Sequence, residues 1–196
     1  VGDYPFLQRA VSSGSDTLEG YLYPKTYDFS GQSPTADTVI RAMLDQFQKE
    51  VASLDFATAE ASLESGYGVT MSDYDVLTLA SIIEKEALTD EQRPKIASVF
   101  YNRLKIGMYL DSDATMGYVT GGDVSAEDLE TDSPYNSYLH AGLPPTPICS
   151  PGLASIQSAL SPSSTSYYYF WITSFEEVFS ETYEEHQQAI SAAQGS

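Results

Sequence analysis

The chain has 196 residues and carries 28 acids against 9 Lys and Arg, a formal net charge of −19. With 42% apolar and 19% charged residues it is globular in composition, and without a basic face it is poorly suited to nucleic acid or anionic membranes. A lone Cys149 beside His140 and His186 excludes a disulfide framework and a Cys-based zinc site, so neither a metal nor another cofactor is expected.

No apolar run approaches the roughly 20 residues that span a bilayer, and no signal-peptide pattern opens the chain. Val1 stands where an initiator Met would be, so a processed or partial chain is expected. The first thirty or so residues read as loop, with an aromatic strand over Gly20–Tyr27 broken by Pro24. Ser33-Pro34 then opens a helix, because Ile40, Met43, Leu44, Phe47 and Val51 recur at helical spacing. A weaker segment leads to about Gly66. Ser72-Asp73-Tyr74-Asp75 has the form of a capping box and starts a helix to about Leu88. A second helix runs from Glu91 to Lys105, with Pro94 in its first turn and Gly107 as its stop. The stretch from Gly107 to Pro151 is rich in glycine and proline and reads as loop. Ser150-Pro151 caps a helix to about Leu160, Tyr167–Thr173 reads as a buried strand, and Thr182 with Glu185 caps a last helix. These elements predict an α+β fold: a helical hairpin packed with a small mixed or antiparallel sheet and long Pro/Gly-rich loops.

The helical hairpin holds an anomaly. On a wheel of about 100° per residue from Val76, Thr78, Ser81 and Lys85 form one narrow wet stripe, at about 140–200°. Glu84, at about 80°, and Glu86, at about 280°, fall inside the apolar arc instead. A carboxylate among apolar groups is costly unless paired or protonated, and burial raises its pKa into the range of a general acid. Arg93 and Arg103 on the next helix are candidate partners. Residues 84–105 hold five of the nine basic residues against four acids, so this hairpin is net +1 and the rest of the chain carries −20. Since the two glutamates point some 160° apart, one can be structural while the other faces a cleft.

The residues carrying this pattern are similar to the MltG/YceG-like family of endolytic murein transglycosylases. The similarity covers nearly the whole chain from Leu18, beginning with Leu18-Glu19-Gly20-Tyr21-Leu22-Tyr23-Pro24. It continues through Ile83-Glu84-Lys85-Glu86, Tyr101-Asn102-Arg103-Leu104 and Leu110-Asp111-Ser112-Asp113-Ala114-Thr115. Ser133-Pro134-Tyr135-Asn136-Ser137-Tyr138, Gly142-Leu143-Pro144-Pro145-Thr146-Pro147 and Thr182-Tyr183-Glu184-Glu185-His186 complete it. By position, the resemblance implies that Glu86 is the catalytic acid, with Glu84 and Arg103 as support. It makes Asn102, Asp113, Thr115, Asn136 and Tyr138 candidates for holding sugar. The chain departs from the family at Lys25, where an acid is common, at Ala114, where proline is usual, and at Thr146, where glycine is frequent. The last two bear on the fit of the cleft loops.

The resemblance implies one catalytic domain over 1–196, with an N-terminal arm over 1–66 and a catalytic core over 67–196. The family's membrane anchor and LysM-like domain would be largely absent from this chain. It implies a monomer on the extracytoplasmic face of a bacterial membrane, with peptidoglycan strands as substrate and cell-wall synthases as partners it allows. The implied reaction cleaves the β-1,4 bond after N-acetylmuramic acid and leaves a 1,6-anhydro end. Glu86 serves first as acid, then as base toward the C6 hydroxyl, so no second carboxylate is required. Two alternatives compete: a hydrolase using Asp111 or Asp113 beside Glu86, and a non-catalytic glycan-binding module. A pyridoxal-phosphate lyase through Lys85 lacks a phosphate cradle, and no Gly-x-Ser-x-Gly supports a serine hydrolase. His186, inside a capped helix, reads as structural.

Overall fold

Eight α-helices and one antiparallel hairpin build an α+β fold in the computed structural model, which describes residues 2–12 and 14–194. After a 3-10 turn over Pro5–Leu7 come α1 (Gln8–Ser12), α2 (Ala36–Val51), α3 (Phe56–Tyr67), α4 (Asp73–Glu86) and α5 (Arg93–Ile106). These are followed by α6 (Asp113–Thr120), α7 (Leu153–Leu160), β1 (Tyr169–Ile172), β2 (Glu177–Ser180) and α8 (Tyr183–Gln194).

The sequence signals that set α4 and α5 act as local chemistry requires. Ser72 accepts the Asp75 amide while the Asp75 carboxylate accepts the Ser72 amide, closing the capping box. Gln92 Oε1 accepts the amides of Leu88 and Thr89 and fixes the turn between the two helices. Gly107 ends α5 in the left-handed region at φ +69°, with the Met108 amide reaching back to the Arg103 carbonyl.

α4 is the centre of the core. Every residue from Val76 to Ile83 is buried, Thr78 and Ser81 included, so the expected wet stripe is dry except at Lys85. The hydroxyls tolerate burial because Thr78 Oγ1 donates to the Tyr74 carbonyl and Ser81 Oγ to that of Thr78, at 2.8 and 2.7 Å. Ser81 Oγ also accepts the Ile148 amide at 2.9 Å, which docks the 146–150 loop over that face. α7 packs on α4 and α5 with Ser155, Ile156 and Ala159 fully buried.

Three local readings change. Residues 20–27 form no strand; Tyr21 instead enters an aromatic cluster with Phe6, Phe47 and Tyr74. The weak segment before Gly66 is α3, capped by Asp55 and stopped by Gly68 at φ +68°. The Gly/Pro-rich stretch contains α6. The hairpin pairs Tyr169 with Ser180 and Ile172 with Glu177, and Phe170 meets Phe100 edge-on at 5.8 Å. α8 packs against both strands. Among the described residues, no helix is long and apolar enough to cross a membrane.

Candidate active site

The two glutamates of α4 part company. Glu84 Oε2 accepts from Arg93 Nη1 at 3.3 Å, the Gly152 amide at 3.1 Å and Ser155 Oγ at 2.6 Å. It therefore caps α7 from a neighbouring helix, because Gly152 at the N-cap has no side chain of its own to do so.

Glu86 ends α4 at the junction of two clefts, both of which it lines together with Asp113. The first cleft, about 610 Å³, runs between the end of α4 and α6, past Lys85, Gly117 and Gly121. The second, about 480 Å³, is walled by Arg103, Tyr138, Tyr169, Trp171 and His186. Burial pushes the Glu86 carboxyl above the usual glutamate range, and the nearby Asp113 carboxylate pushes the same way; the hydrogen bond from Ser112 and the Arg103 charge oppose them. Its place in the last helical turn, at the negative end of the helix dipole, also disfavours the anion.

Ser112 Oγ donates a short hydrogen bond to Glu86 Oε1. Ser112 is the N-cap residue of α6, yet its side chain caps nothing in that helix. Its hydroxyl is directed to the carboxyl instead, a local rule set aside at the site. A buried hydroxyl network holds it there. The Ser112 amide donates to Ser137 Oγ at 3.0 Å, and Thr115 Oγ1 donates to the Ser112 carbonyl at 2.8 Å while lying 3.0 Å from Ser137 Oγ. Next to it Asp111, at φ +47°, is a non-glycine residue in the left-handed region, a strained conformation held by the hydrogen bond its amide donates to the Ser137 carbonyl and by Arg103.

Arg103 is buried and ties the second cleft together. Nε donates to the Tyr168 carbonyl at 2.6 Å, and Nη1 to the Leu110 carbonyl at 2.8 Å and Asp111 Oδ2 at 3.3 Å. Its guanidinium lies 5.3 Å over the Tyr169 ring.

Of the residues expected to hold sugar, Asp113 and Tyr138 meet at the cleft junction, where the Tyr138 hydroxyl donates to Asp113 Oδ1 at 2.7 Å. The other three make supporting contacts within the fold. Asn102 Nδ2 donates to the Thr165 and Tyr167 carbonyls, and Asn136 Nδ2 to those of Leu129 and Thr131. Both amides thus secure loops, and both residues are buried, as is Thr115 in the hydroxyl network. Sequence reasoning missed Ser112 and Ser137, although both sit in blocks that carry the resemblance. It also missed the second cleft's wall, because β1 and α8 come together there only through folding. Of the departures, Lys25 pairs with Glu50 at 3.6 Å, Ala114 lines the first cleft, and Thr146 shares a 2.7 Å hydrogen bond with the Tyr135 hydroxyl.

A relative from Bacillus subtilis (strain 168), named endolytic murein transglycosylase, is 42% identical over 176 residues, covering 88% of this chain and 47% of the relative. A second of the same name, from Streptococcus pneumoniae (strain ATCC BAA-255 / R6), is 32% identical over 205 residues, covering 97% of this chain and 36% of its own length. The chain thus spans about half or less of the curated relatives it matches. The 2.6 Å crystal structure of a YceG-like protein from Listeria monocytogenes superimposes with a TM-score of 0.74 at 39% identity, over 88% of this chain and 55% of that one. The YceG-like family model runs over residues 5–192, and on that span the chain belongs to the YceG-like family.

Proposed function

We propose that this chain is the catalytic region of an endolytic murein transglycosylase acting on uncrosslinked peptidoglycan strands at the extracytoplasmic face of a bacterial membrane. One observation carries the reading. The Glu86 carboxyl, desolvated and held by Ser112, sits where two clefts meet, so a polymer can lie through both with its scissile bond at Glu86.

Glu86 enters protonated, the form that its raised pKa favours. It donates that proton to the glycosidic oxygen as the C1–O bond breaks and positive charge develops on the muramyl ring. The carboxylate so formed takes the proton of the muramyl C6 hydroxyl as O6 closes on C1, which restores the acid and leaves the 1,6-anhydro end. Ser112 orients Oε1, and Asp113 with Tyr138 position the sugar beside the acid. Glu84 and Arg103 are supports: one anchors α7 to α4, the other holds the 109–111 turn and β1. The names of the relatives and their identity to this chain support the same reading.

The test is mass spectrometry of uncrosslinked strands after incubation with the wild-type chain and with Glu86→Gln. New 1,6-anhydromuramyl ends from wild type alone are expected. Reducing ends would reassign the chain as a hydrolase using Asp111 or Asp113. Strand binding without cleavage by either protein would leave a binding module.

A further inference from the structure

The Glu86 reading leaves the His186 imidazole without a role. His186 lines the second cleft together with Glu86 and Arg103. α8 presents it rigidly: the Thr182 hydroxyl accepts the Glu185 amide and the Glu185 carboxylate accepts those of Glu181 and Thr182. The imidazole stacks on Tyr169, centroids 5.5 Å apart and planes at 27°. Its two nitrogens differ. Nδ1 is sealed from solvent with no hydrogen-bond partner among the described residues. Nε2, also without a partner among them, is not sealed, and the residue lines the cleft.

We propose that His186 is a fixed-tautomer donor whose Nε2–H hydrogen-bonds an uncharged oxygen acceptor of the glycan, an amide carbonyl or a hydroxyl, in the second cleft. A proton on Nδ1 would be a buried N–H with no acceptor, which carries the full desolvation penalty. A proton on Nε2 stays hydrated until substrate arrives. Burial and the Arg103 charge hold the imidazole below its usual range, so the ring stays neutral near neutral pH. A neutral single donor beside an aromatic face suits a sugar amide or hydroxyl better than a carboxylate. The identity of the glycan rests on the transglycosylase reading; the open donor does not.

Two substitutions test the donor. His186→Phe keeps a ring on Tyr169 and removes the N–H, whereas His186→Gln can return an N–H near the position of Nε2. For anhydro-end formation, His186→Phe should raise KM about five- to tenfold, the effect of one hydrogen bond between neutral groups. Its kcat should stay within about twofold, and His186→Gln should recover most of the loss. An unchanged KM in His186→Phe, or an equal rise in both variants, overturns the proposal. ¹⁵N NMR of the Glu86→Gln chain is independent of turnover and leaves His186 intact. The ring should show a protonated Nε2 whose signal moves when GlcNAc–MurNAc oligosaccharide is added. A protonated Nδ1, or an unmoved Nε2 signal, overturns the proposal. If Nε2 responds to the oligosaccharide while wild type makes no anhydro ends, the transglycosylase reading fails and the His186 assignment stands.

Discussion

Glu84→Ala separates the two glutamates by thermodynamics. The substitution removes the acceptor of three hydrogen bonds: from Arg93, from the Gly152 amide and from Ser155. Losing the cap on α7 costs about 1 kcal/mol. Breaking a fully buried ion pair costs roughly 3–5 kcal/mol and an exposed pair less than about 1. Here the side chains are 29% and 13% exposed, and Arg93 keeps Asp90 at 2.9 Å and Ser155 at 2.6 Å, so the lower figure applies. Together with a Ser155 O–H left without its acceptor, the expected loss is about 2–3 kcal/mol. Glu84→Gln keeps an oxygen for Gly152 and Ser155 and should lose only about 1 kcal/mol. The check is urea denaturation, read as a lower midpoint at constant m. Thermal unfolding should fall by about 5–10 °C for Glu84→Ala in a chain of this size. The folded variant should still cleave strands. A midpoint within about 0.5 kcal/mol of wild type, combined with lost cleavage, would refute the clamp and move Glu84 into the chemistry.

Glu86→Gln should behave oppositely. The folded chain holds the Glu86 proton more tightly than the unfolded chain does, so wild type loses that contribution as pH rises from the ordinary glutamate range through the raised value. The variant lacks this loss, and its stability relative to wild type should grow with pH; urea midpoints that differ by a constant amount from about pH 4 to 8 would count against the burial argument. Ser112→Ala removes the hydrogen bond that pulls the Glu86 carboxyl down. The alkaline limb of the kcat/KM profile for anhydro-end formation should then move to higher pH, and a move toward acid would refute the assignment. Gly20→Ala should destabilise the chain by more than about 1–2 kcal/mol, the ordinary cost of a side chain in the left-handed region. Gly20 sits at φ +88°, and a Cβ there would lie 2.6 Å from Pro147 Cγ. A urea midpoint equal to wild type would show that the 20–27 segment is not seated on that loop.

The sequence alone determined what neighbours along the chain decide. The Ser72–Asp75 capping box, Pro94, Gly107 and the i, i+3, i+4 spacing of α2 each act within one or two turns, so α2, α4, α5 and the start of α8 are legible directly, whereas α7 opens on Gly152 and not on the Ser150-Pro151 cap that the sequence suggests. Asp55 and Gly68 carry the same kind of signal for α3 and are readable once capping is sought there. The wheel marks Glu84 and Glu86 as out of place because burying a carboxylate is costly whatever the fold. Which of the two is a clamp and which faces a cleft depends on contacts from distant residues: Gly152 and Ser155 for Glu84, Ser112 for Glu86. Thr78 and Ser81 look wet because pattern reading sees polarity; the 146–150 loop covers them because their hydroxyls satisfy local carbonyls and the Ile148 amide. The aromatic segment 20–27 has strand propensity but no strand beside it, so it is held by aromatic packing instead. Position in the chain names the residues, but only tertiary packing sets how far Glu86 is desolvated, and that desolvation gives its carboxyl a pKa above the ordinary glutamate range.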